Sequence, residues 1–190
     1  ACSMPVSAGM SVHTHTPAVL DARRMVLELM LANHPADCFS CARNLNCELQ
    51  ELAAELGVKK VRFDGERRRY PIDDSHPFIV RDNEKCILCG RCVRACQELQ
   101  VCNVLDFTGR GFDTKLAPAF DSATNESDCV FCGACVSACP VGALTEKVLC
   151  QSGRPDKKVR TTCPFCGVGC NFDLNVKDGR VTGVTSTPDS

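Results

Sequence analysis

Two stretches of the chain decide its fold: residues 86–96 read CILCGRCVRAC, and residues 129–139 read CVFCGACVSAC. Both have the spacing Cys-x2-Cys-x2-Cys-x3-Cys, and seven of eleven positions are identical at an offset of 43 residues. Four thiols so close in sequence converge on one centre when the chain loops around a metal, whereas disulfides would have difficulty using all four. The total of 17 cysteines is odd, which does not suit a closed disulfide framework either. The sequence therefore predicts an internal repeat with a metal site in each half.

The spacing of the two runs favours iron–sulfur over zinc. Structural zinc usually takes two separated ligand pairs, whereas an x2-x2-x3 run ending in Cys-Pro is the bacterial pattern for a [4Fe–4S] cluster. The runs resemble the halves of a bacterial two-cluster ferredoxin, in which the fourth Cys of each run binds the other cluster. This resemblance implies one cluster on Cys86, Cys89, Cys92 and Cys139 and a second on Cys129, Cys132, Cys135 and Cys96. Gln97 replaces the Pro that the family has after its first run, so a differently shaped corner is expected there. Zinc remains the alternative.

A histidine stands in a ligand position upstream, in the pattern His34-x3-Cys38-x2-Cys41-x5-Cys47. Thr16 as N-cap and Pro17 at the first helical position predict a helix that ends just before His34. A second helix is expected over residues 47–56, ended by Gly57. The other histidines, His13, His15 and His76, are expected to be ordinary surface or core residues.

The stretches CSMPVSAGM (2–10) and HPADCFSCARNLNCELQELAAELGV (34–58) resemble the large iron–sulfur subunit of respiratory complex I. They are equally similar to its relatives in NAD-linked hydrogenases and formate dehydrogenases. The resemblance implies a [4Fe–4S] cluster on His34, Cys38, Cys41 and Cys47. It also implies that Cys2 is the last of four ligands to a [2Fe–2S] cluster, with the other three outside the chain.

A third cysteine motif, Cys163-x2-Cys166-x3-Cys170, precedes NFDLNVKDGRVTGV (171–184). Alternating apolar residues around Asp178-Gly179 predict a β-hairpin there. The segment resembles the opening of the molybdopterin oxidoreductase fold, most closely formate dehydrogenase alpha subunits. That implies a further [4Fe–4S] cluster, partial at these three cysteines, and a molybdenum or tungsten bis-molybdopterin guanine dinucleotide outside the chain. A zinc knuckle or a three-cysteine site is the alternative, and we expect the chain to be an internal fragment.

Composition excludes several classes of function. The formal net charge is −1 and no apolar run approaches membrane-spanning length, so neither nucleic-acid binding nor a membrane span is expected. The basic residues of 59–69 are interpreted as a solvated face, with a docking patch as the alternative, and residues 151–160 as a linker. Three basic residues are expected to offset cluster charge next to Cys86: Lys85, Arg91 and Arg94. Cys102 and Cys150 are expected to be buried free thiols.

The predicted fold class is α+β, a string of small iron–sulfur modules with little regular secondary structure. Residues 1–15 would end a [2Fe–2S] domain and residues 16–75 form the His/Cys module. Residues 76–150 would form the two-cluster ferredoxin-like domain, and residues 151–190 begin the molybdopterin oxidoreductase domain.

The resemblance implies an electron relay in a cytoplasmic formate dehydrogenase or CO2 reductase alpha subunit. Its partners would be diaphorase-like or other iron–sulfur or flavin subunits. The alternatives are an NAD-linked [FeFe]-hydrogenase or complex I-like NADH dehydrogenase subunit, and a stand-alone electron-transfer or structural metal module.

Overall fold

The computed structural model describes residues 4–187, and its secondary-structure elements are short apart from the first helix. The helices are α1 (Pro17–Asn33), α2 (Glu48–Glu55), α3 (Arg91–Arg94), α4 (Ala134–Ala138) and α5 (Lys147–Ser152). The strands are β1 (Ile79–Arg81), β2 (Asp106–Thr108), β3 (Lys115–Ala117), β4 (Leu144–Glu146), β5 (Lys157–Thr162), β6 (Asn171–Lys177) and β7 (Arg180–Ser186).

The first helix begins and ends where the sequence predicts. The Thr16 side chain accepts a hydrogen bond from the Val19 N–H, and Pro17 occupies the first turn. His34 is the C-cap residue, in extended conformation, and its N–H donates to the Leu31 carbonyl. Pro35 removes the next backbone donor, which explains why the helix stops there.

The second helix packs its buried side against the first. Leu49 and Leu56 of the α2 region are buried together with Leu27 of α1. The Arg24 guanidinium donates to the Leu56 carbonyl, which would otherwise lack an intrahelical partner at the helix end. Gly57 then takes a φ of +67°, the left-handed conformation expected for the residue after a helix.

The two cysteine runs form one pseudo-symmetric unit. Strand β1 pairs antiparallel with β4, and β2 pairs antiparallel with β3, over a core that includes Val93, Leu116, Val136, Val141 and Leu144. The backbone repeats in detail: φ is +55° at Leu88 and +59° at Phe131, and +72° at Gly90 and +74° at Gly133. The internal repeat is therefore confirmed in the conformation of both loops.

The two halves differ at the corner where the sequence has Gln97 in one and Pro140 in the other. Helix α4 ends at Ala138, because a proline disfavours helical conformation in the residue before it. After Cys96 no proline intervenes, and the chain continues through a π-helical turn, Ala95–Leu99. The expected difference in shape is confirmed.

The last described part is a three-stranded antiparallel sheet in the order β5-β6-β7. The predicted hairpin is confirmed: Asp178 and Gly179 connect β6 and β7, with φ of +50° and +75° as a type I′ turn requires. The predicted linker over 151–160 is wrong, because α5 extends to Ser152 and β5 begins at Lys157. Residues 157–162 (KKVRTT) are polar apart from Val159, so the sequence has no alternation of apolar and polar residues that would predict a strand.

The basic stretch 59–69 is mostly a solvated face, as expected, because all of its cations are exposed except Arg68, which is half-buried. Arg62 Nε donates to the Glu28 carboxylate at 2.8 Å, and Arg69 pairs with Glu84. The Arg68 guanidinium donates to the Thr114 and Cys86 carbonyls, and its backbone N–H donates to the Asn33 side chain. Arg62, Arg68 and Arg69 thus also contact α1 and the segment around Cys86, while Arg62 and Arg69 keep their side chains exposed.

The His/Cys segment contacts the two-run unit directly. The Glu48 N–H donates to the Pro140 carbonyl at 3.0 Å, and the Glu48 carboxylate accepts two bonds from Arg91 at 2.6 and 2.7 Å.

Within the described residues, no helix is long and apolar enough to cross a membrane.

Candidate metal centres

The first cavity of the two-run unit is lined by Cys86, Cys89, Cys92 and Cys139. Three of these thiols come from the first run and the fourth comes from the second. Cys92 and Cys139 are buried, and the cavity wall is completed by apolar side chains including Leu116, Val141 and Leu144. The structure thus places together the four cysteines that the ferredoxin resemblance implies for one cluster.

The second cavity is lined by Cys129, Cys132 and Cys135 of the second run and by Cys96 of the first. The exchange of fourth cysteines is therefore reciprocal. It follows from the packing of α3 and the π turn on α4, which brings the end of each run beside the start of the other. Cys102 also lines this cavity, and its N–H donates to the Cys96 carbonyl at 2.9 Å.

Three thiols of these cavities have a pKa above that of an ordinary cysteine when no metal is bound. Burial, reinforced by neighbouring thiols, raises the pKa of Cys92 and of Cys135 to about 12 each. Burial also raises the pKa of Cys86, although the Leu88 N–H donates to its sulfur at 3.4 Å. Thiols of this kind release their protons only to a metal, so metal binding here is coupled to proton release.

A third cavity, of about 340 Å³, is lined by His34, Cys38, Cys41 and Cys47. His34 Nδ1 is buried and has no hydrogen-bond partner among the described residues. Burial, with the nearby Lys85 charge, lowers the pKa of His34, so the imidazole is neutral and its nitrogen is free to bind a metal. An unpartnered buried nitrogen facing three thiols fits a His/Cys-ligated cluster.

Gly142 of the two-run unit closes this third cavity. A Cβ at this position would lie 2.6 Å from the Cys41 sulfur and 3.3 Å from Lys85 Cδ. The Arg43 guanidinium donates to the Cys139 carbonyl at 2.5 Å, so the segment from Cys139 to Gly142 touches two cavities at once. Sequence spacing gives no signal for Gly142 or Arg43, because both contacts join residues far apart in the chain.

The third cysteine motif occupies the loop between β5 and β6. The Cys163 N–H donates to the Cys170 carbonyl at 2.8 Å, which closes the loop, while Cys166 and Cys170 are exposed. Cys2 lies outside the described residues. Across residues 4–187, no three His, Cys, Asp or Glu side chains meet at a point that would hold one metal ion; the thiols line shared cavities instead.

Two expectations about individual residues need correction. Lys85 lines the His34 cavity and pairs with Asp82 at 2.8 Å, rather than lying against the Cys86 cavity. Cys150 is exposed rather than buried, and Cys102 is only half-buried. His76 is a satisfied core residue as expected, but it also contacts Cys129, which the sequence did not indicate.

Three known families match successive parts of the chain. Residues 23–62 match the NADH-ubiquinone oxidoreductase-G iron–sulfur binding region, and residues 76–145 match the ferredoxin-like domain of NADH-quinone oxidoreductase subunit 3. Residues 156–190 match the molybdopterin oxidoreductase Fe4S4 domain. Together they show an iron–sulfur region of the NADH-quinone oxidoreductase G and molybdopterin oxidoreductase type.

Similar proteins of this type are oxidoreductase subunits. The NADP-reducing hydrogenase subunit HndD of Solidesulfovibrio fructosivorans is 41% identical over 96% of this chain and 32% of its own length. The NADPH-Fe(3+) oxidoreductase subunit alpha of Geobacter sulfurreducens is 37% identical over 98% of this chain and 22% of its own length. The chain thus spans a third or less of these relatives.

Complex I and a solved hydrogenase are similar as well. The 78 kDa NADH-ubiquinone oxidoreductase subunit of Neurospora crassa is 33% identical over 93% of this chain and 24% of its own length. A crystal structure of an NAD+-reducing [NiFe]-hydrogenase in the H2-reduced state superimposes with a TM-score of 0.69 at 32% identity. That likeness covers 77% of this chain and 62% of the other. None of these four proteins is named as a formate dehydrogenase. The expected assignment to a formate dehydrogenase is therefore not shown.

Proposed function

We propose that this chain is the electron-transfer segment of an NADH- or NADPH-linked oxidoreductase subunit, of the hydrogenase or complex I kind. One observation carries the proposal: two cavities each take three thiols from one cysteine run and the fourth from the other. Such an exchange holds two redox centres at a short, fixed separation, which serves electron transfer and has no evident use in acid–base chemistry. When bound, [4Fe–4S] clusters would supply the one-electron chemistry.

In this proposal, the chain's own residues hold three complete sites. Cys86, Cys89, Cys92 and Cys139 hold the first, and Cys129, Cys132, Cys135 and Cys96 hold the second. His34, Cys38, Cys41 and Cys47 hold the third. Apolar side chains pack around Cys92 and Cys135, and the Leu88 N–H would stabilise the Cys86 thiolate. Cys163, Cys166, Cys170 and Cys2 are proposed ligands of further sites that need residues outside the chain.

The contacts between sites support an order for the relay. Gly142 lies against Cys41 of the His34 site, only three residues from Cys139 of the Cys86 site. Helix α3 packs on α4, and the Cys135 thiol is close enough to contribute to the raised pKa of Cys92. The His34 site is therefore proposed to adjoin the Cys86 site, and the Cys86 site to adjoin the Cys129 site.

A formate dehydrogenase is the second candidate. The match of residues 156–190 to the molybdopterin oxidoreductase Fe4S4 domain favours it. However, the hydrogenase and NADPH-linked relatives align over 96% and 98% of the chain, so they share this segment too. The hydrogenase or complex I kind is therefore preferred, with NAD(P)-linked flavin or iron–sulfur subunits as proposed partners. A molybdenum or tungsten cofactor belongs only to the second candidate.

The test uses the full polypeptide in its native complex, purified without oxygen. Three complete cubane sites require about twelve iron atoms and as many acid-labile sulfides from this region. Reduction of its electron paramagnetic resonance (EPR) signals by NADH, NADPH or hydrogen, and not by formate, is the expected result. Cys92→Ser should remove or alter one signal, whereas Cys150→Ser, at an exposed position, should leave all signals unchanged. Zinc without sulfide would overturn the relay, and reduction by formate alone would select the second candidate.

A further inference from the structure

His76 is buried beside the second cavity and its ring is held in one orientation. It is 1% exposed, and its ring makes edge contacts with Phe131 at 4.6 Å and with Phe78 at 6.1 Å between centroids. Phe131 lies between Cys129 and Cys132, so the imidazole packs against the loop that carries two of the proposed ligands.

The hydrogen bonds of His76 fix which nitrogen carries its proton. Nδ1 accepts from the Phe78 N–H and from the Ile79 N–H, each at 3.0 Å. A ring nitrogen that accepts is unprotonated, and in a neutral imidazole the other nitrogen then bears the hydrogen. Nε2 lies 3.7 Å from the Cys129 sulfur, within hydrogen-bond range for sulfur. The bond therefore runs from Nε2–H to the sulfur.

A network behind His76 keeps this donor in place. The Asp73 carboxylate accepts from the Ser75 N–H, from Arg81 and from Thr124, which ties together the backbone on both sides of the cavity. Strand β1 begins three residues after His76, and its last residue, Arg81, forms an isolated antiparallel bridge with Asp73. The ring itself is restrained by the two N–H bonds to Nδ1 and by its contacts with Phe78 and Phe131, so it has little freedom to turn away from the sulfur.

We propose that His76 tunes the cluster held by Cys129, Cys132, Cys135 and Cys96 by donating its Nε2–H to the Cys129 thiolate. Reduction adds negative charge, and a hydrogen bond to a ligand sulfur stabilises the more negative state, so His76 raises the potential of this site. The equivalent cysteine of the first run, Cys86, takes a hydrogen bond from the backbone of Leu88 instead. Two runs that are identical at seven of eleven positions would thereby hold clusters of different potential. The inference rests on the proposed function, because it needs the cluster to be present.

The test compares two substitutions at this position in the anaerobically purified native complex, by EPR-monitored redox titration. His76→Asn keeps an acceptor near Nδ1 for the two backbone N–H groups and removes the donor to sulfur. His76→Gln keeps an amide donor at about the reach of Nε2 and lacks that acceptor. His15→Asn, at an exposed histidine, is the control variant, and the Cys86 cluster is an internal control in every sample. Cys132→Ser identifies the signal of the Cys129 cluster.

His76→Asn should lower the midpoint of the Cys129 cluster and leave the Cys86 cluster unchanged. At fixed ambient potential the ratio of reduced to oxidised cluster should fall about tenfold, which is about 59 mV for one electron. His76→Gln should recover part of this shift. An unchanged midpoint in His76→Asn, or equal shifts in both clusters, would overturn the role of His76. Absence of the cluster in the wild-type protein would instead contradict the proposed function.

A measurement on the unmodified sequence covers the case in which His76→Asn does not assemble. Pulsed EPR of the wild-type complex labelled with 15N-histidine should show a weak nitrogen coupling on the Cys129 cluster signal. The directly bound His34 nitrogen should couple more strongly, and on a different signal. If the Cys129 cluster shows no nitrogen coupling, His76 does not donate to it.

Discussion

Gly142 and Cys41 touch across the boundary between the two-run unit and the His/Cys segment. A Cβ on residue 142 would stand 2.6 Å from the Cys41 sulfur, closer than packed atoms approach. Cys41 of the His34 cavity is therefore positioned by Gly142, which belongs to the two-run unit. Four predictions follow from this and from the other contacts described above.

Gly142→Ala should selectively impair the His34 site. The added methyl group must displace the Cys41 sulfur, so the protein should lose about four iron atoms per chain while the two crossed sites keep theirs. Iron analysis and EPR of the anaerobically purified protein measure this. Gly65→Ala is the matched control, since a Cβ there meets nothing within 4 Å. Full iron content in Gly142→Ala would contradict the positioning of the Cys41 ligand by residue 142.

His34→Cys should keep a cluster in the third cavity and lower its midpoint potential. A thiolate replaces a neutral imidazole, which adds negative charge and disfavours reduction, the reverse of the effect that histidine ligation has in Rieske centres. Redox titration followed by EPR gives the shift. Complete loss of the cluster, or a midpoint identical to that of the wild type, would argue against His34 as a ligand.

Asp73→Asn should destabilise the two-run unit. Burial opposes ionisation of Asp73, but hydrogen bonds from Ser75, Thr124 and Arg81 outweigh it and hold its pKa well below the usual range. The Arg81 side chain is only 7% exposed, so removing its partner should cost about 3 kcal/mol.

Anaerobic urea unfolding followed by circular dichroism would measure the loss, with the exposed Asp74→Asn as control. The pKa of the Asp73 carboxyl is lowered in the folded state. Its contribution to folding stability is therefore complete above its unfolded pKa of about 3.9. The contribution is lost as pH falls toward the folded value. Equal stability of the Asp73 and Asp74 variants at neutral pH would contradict the buried pair.

Removal of the iron should leave thiols of very unequal reactivity. The pKa of Cys92 and Cys135 is raised to about 12, so at pH 8 about one thiol in ten thousand is a thiolate. After chelation, alkylation with iodoacetamide should modify the exposed Cys150 far faster than the buried Cys92 or the half-buried Cys135, and the difference should shrink as pH rises. Peptide mass spectrometry gives the rates, and uniform labelling would show that the cavities open without metal.

Local signals predicted several elements of the fold correctly. Thr16 and Pro17 fix the start of α1 through a side-chain cap and a proline, and Asp178-Gly179 fixes a hairpin through positive φ. These features depend on neighbours in sequence, so they can be inferred from sequence. The same holds for the cysteine spacing. In the structure, each of two cavities is lined by three cysteines of one run and the fourth cysteine of the other, as the resemblance implied.

Features that depend on packing between distant residues escaped prediction. Arg62 is exposed as expected, but its ion pair with Glu28, 34 residues away, was not predicted. Arg68 is half-buried because it donates to the Cys86 carbonyl, 18 residues away. His76 lies 53 residues before the sulfur it contacts. Strand β5 has no apolar alternation and exists because β6 provides a partner over six paired positions.

The exchange of fourth cysteines has a consequence for synthesis. A ribosome that has just released Cys86, Cys89 and Cys92 has produced three ligands for a site whose fourth, Cys139, has yet to be translated. The first crossed set therefore lacks its last thiol until residue 139 is translated, and the second set, which takes Cys96, lacks its last thiol until residue 135. Cys135, the last thiol of the second set, and Cys139, the last thiol of the first set, lie four residues apart. Under the proposed ligand assignment, both sites therefore become complete only near the end of the second run, and a product truncated before Cys129 would lack thiols of both.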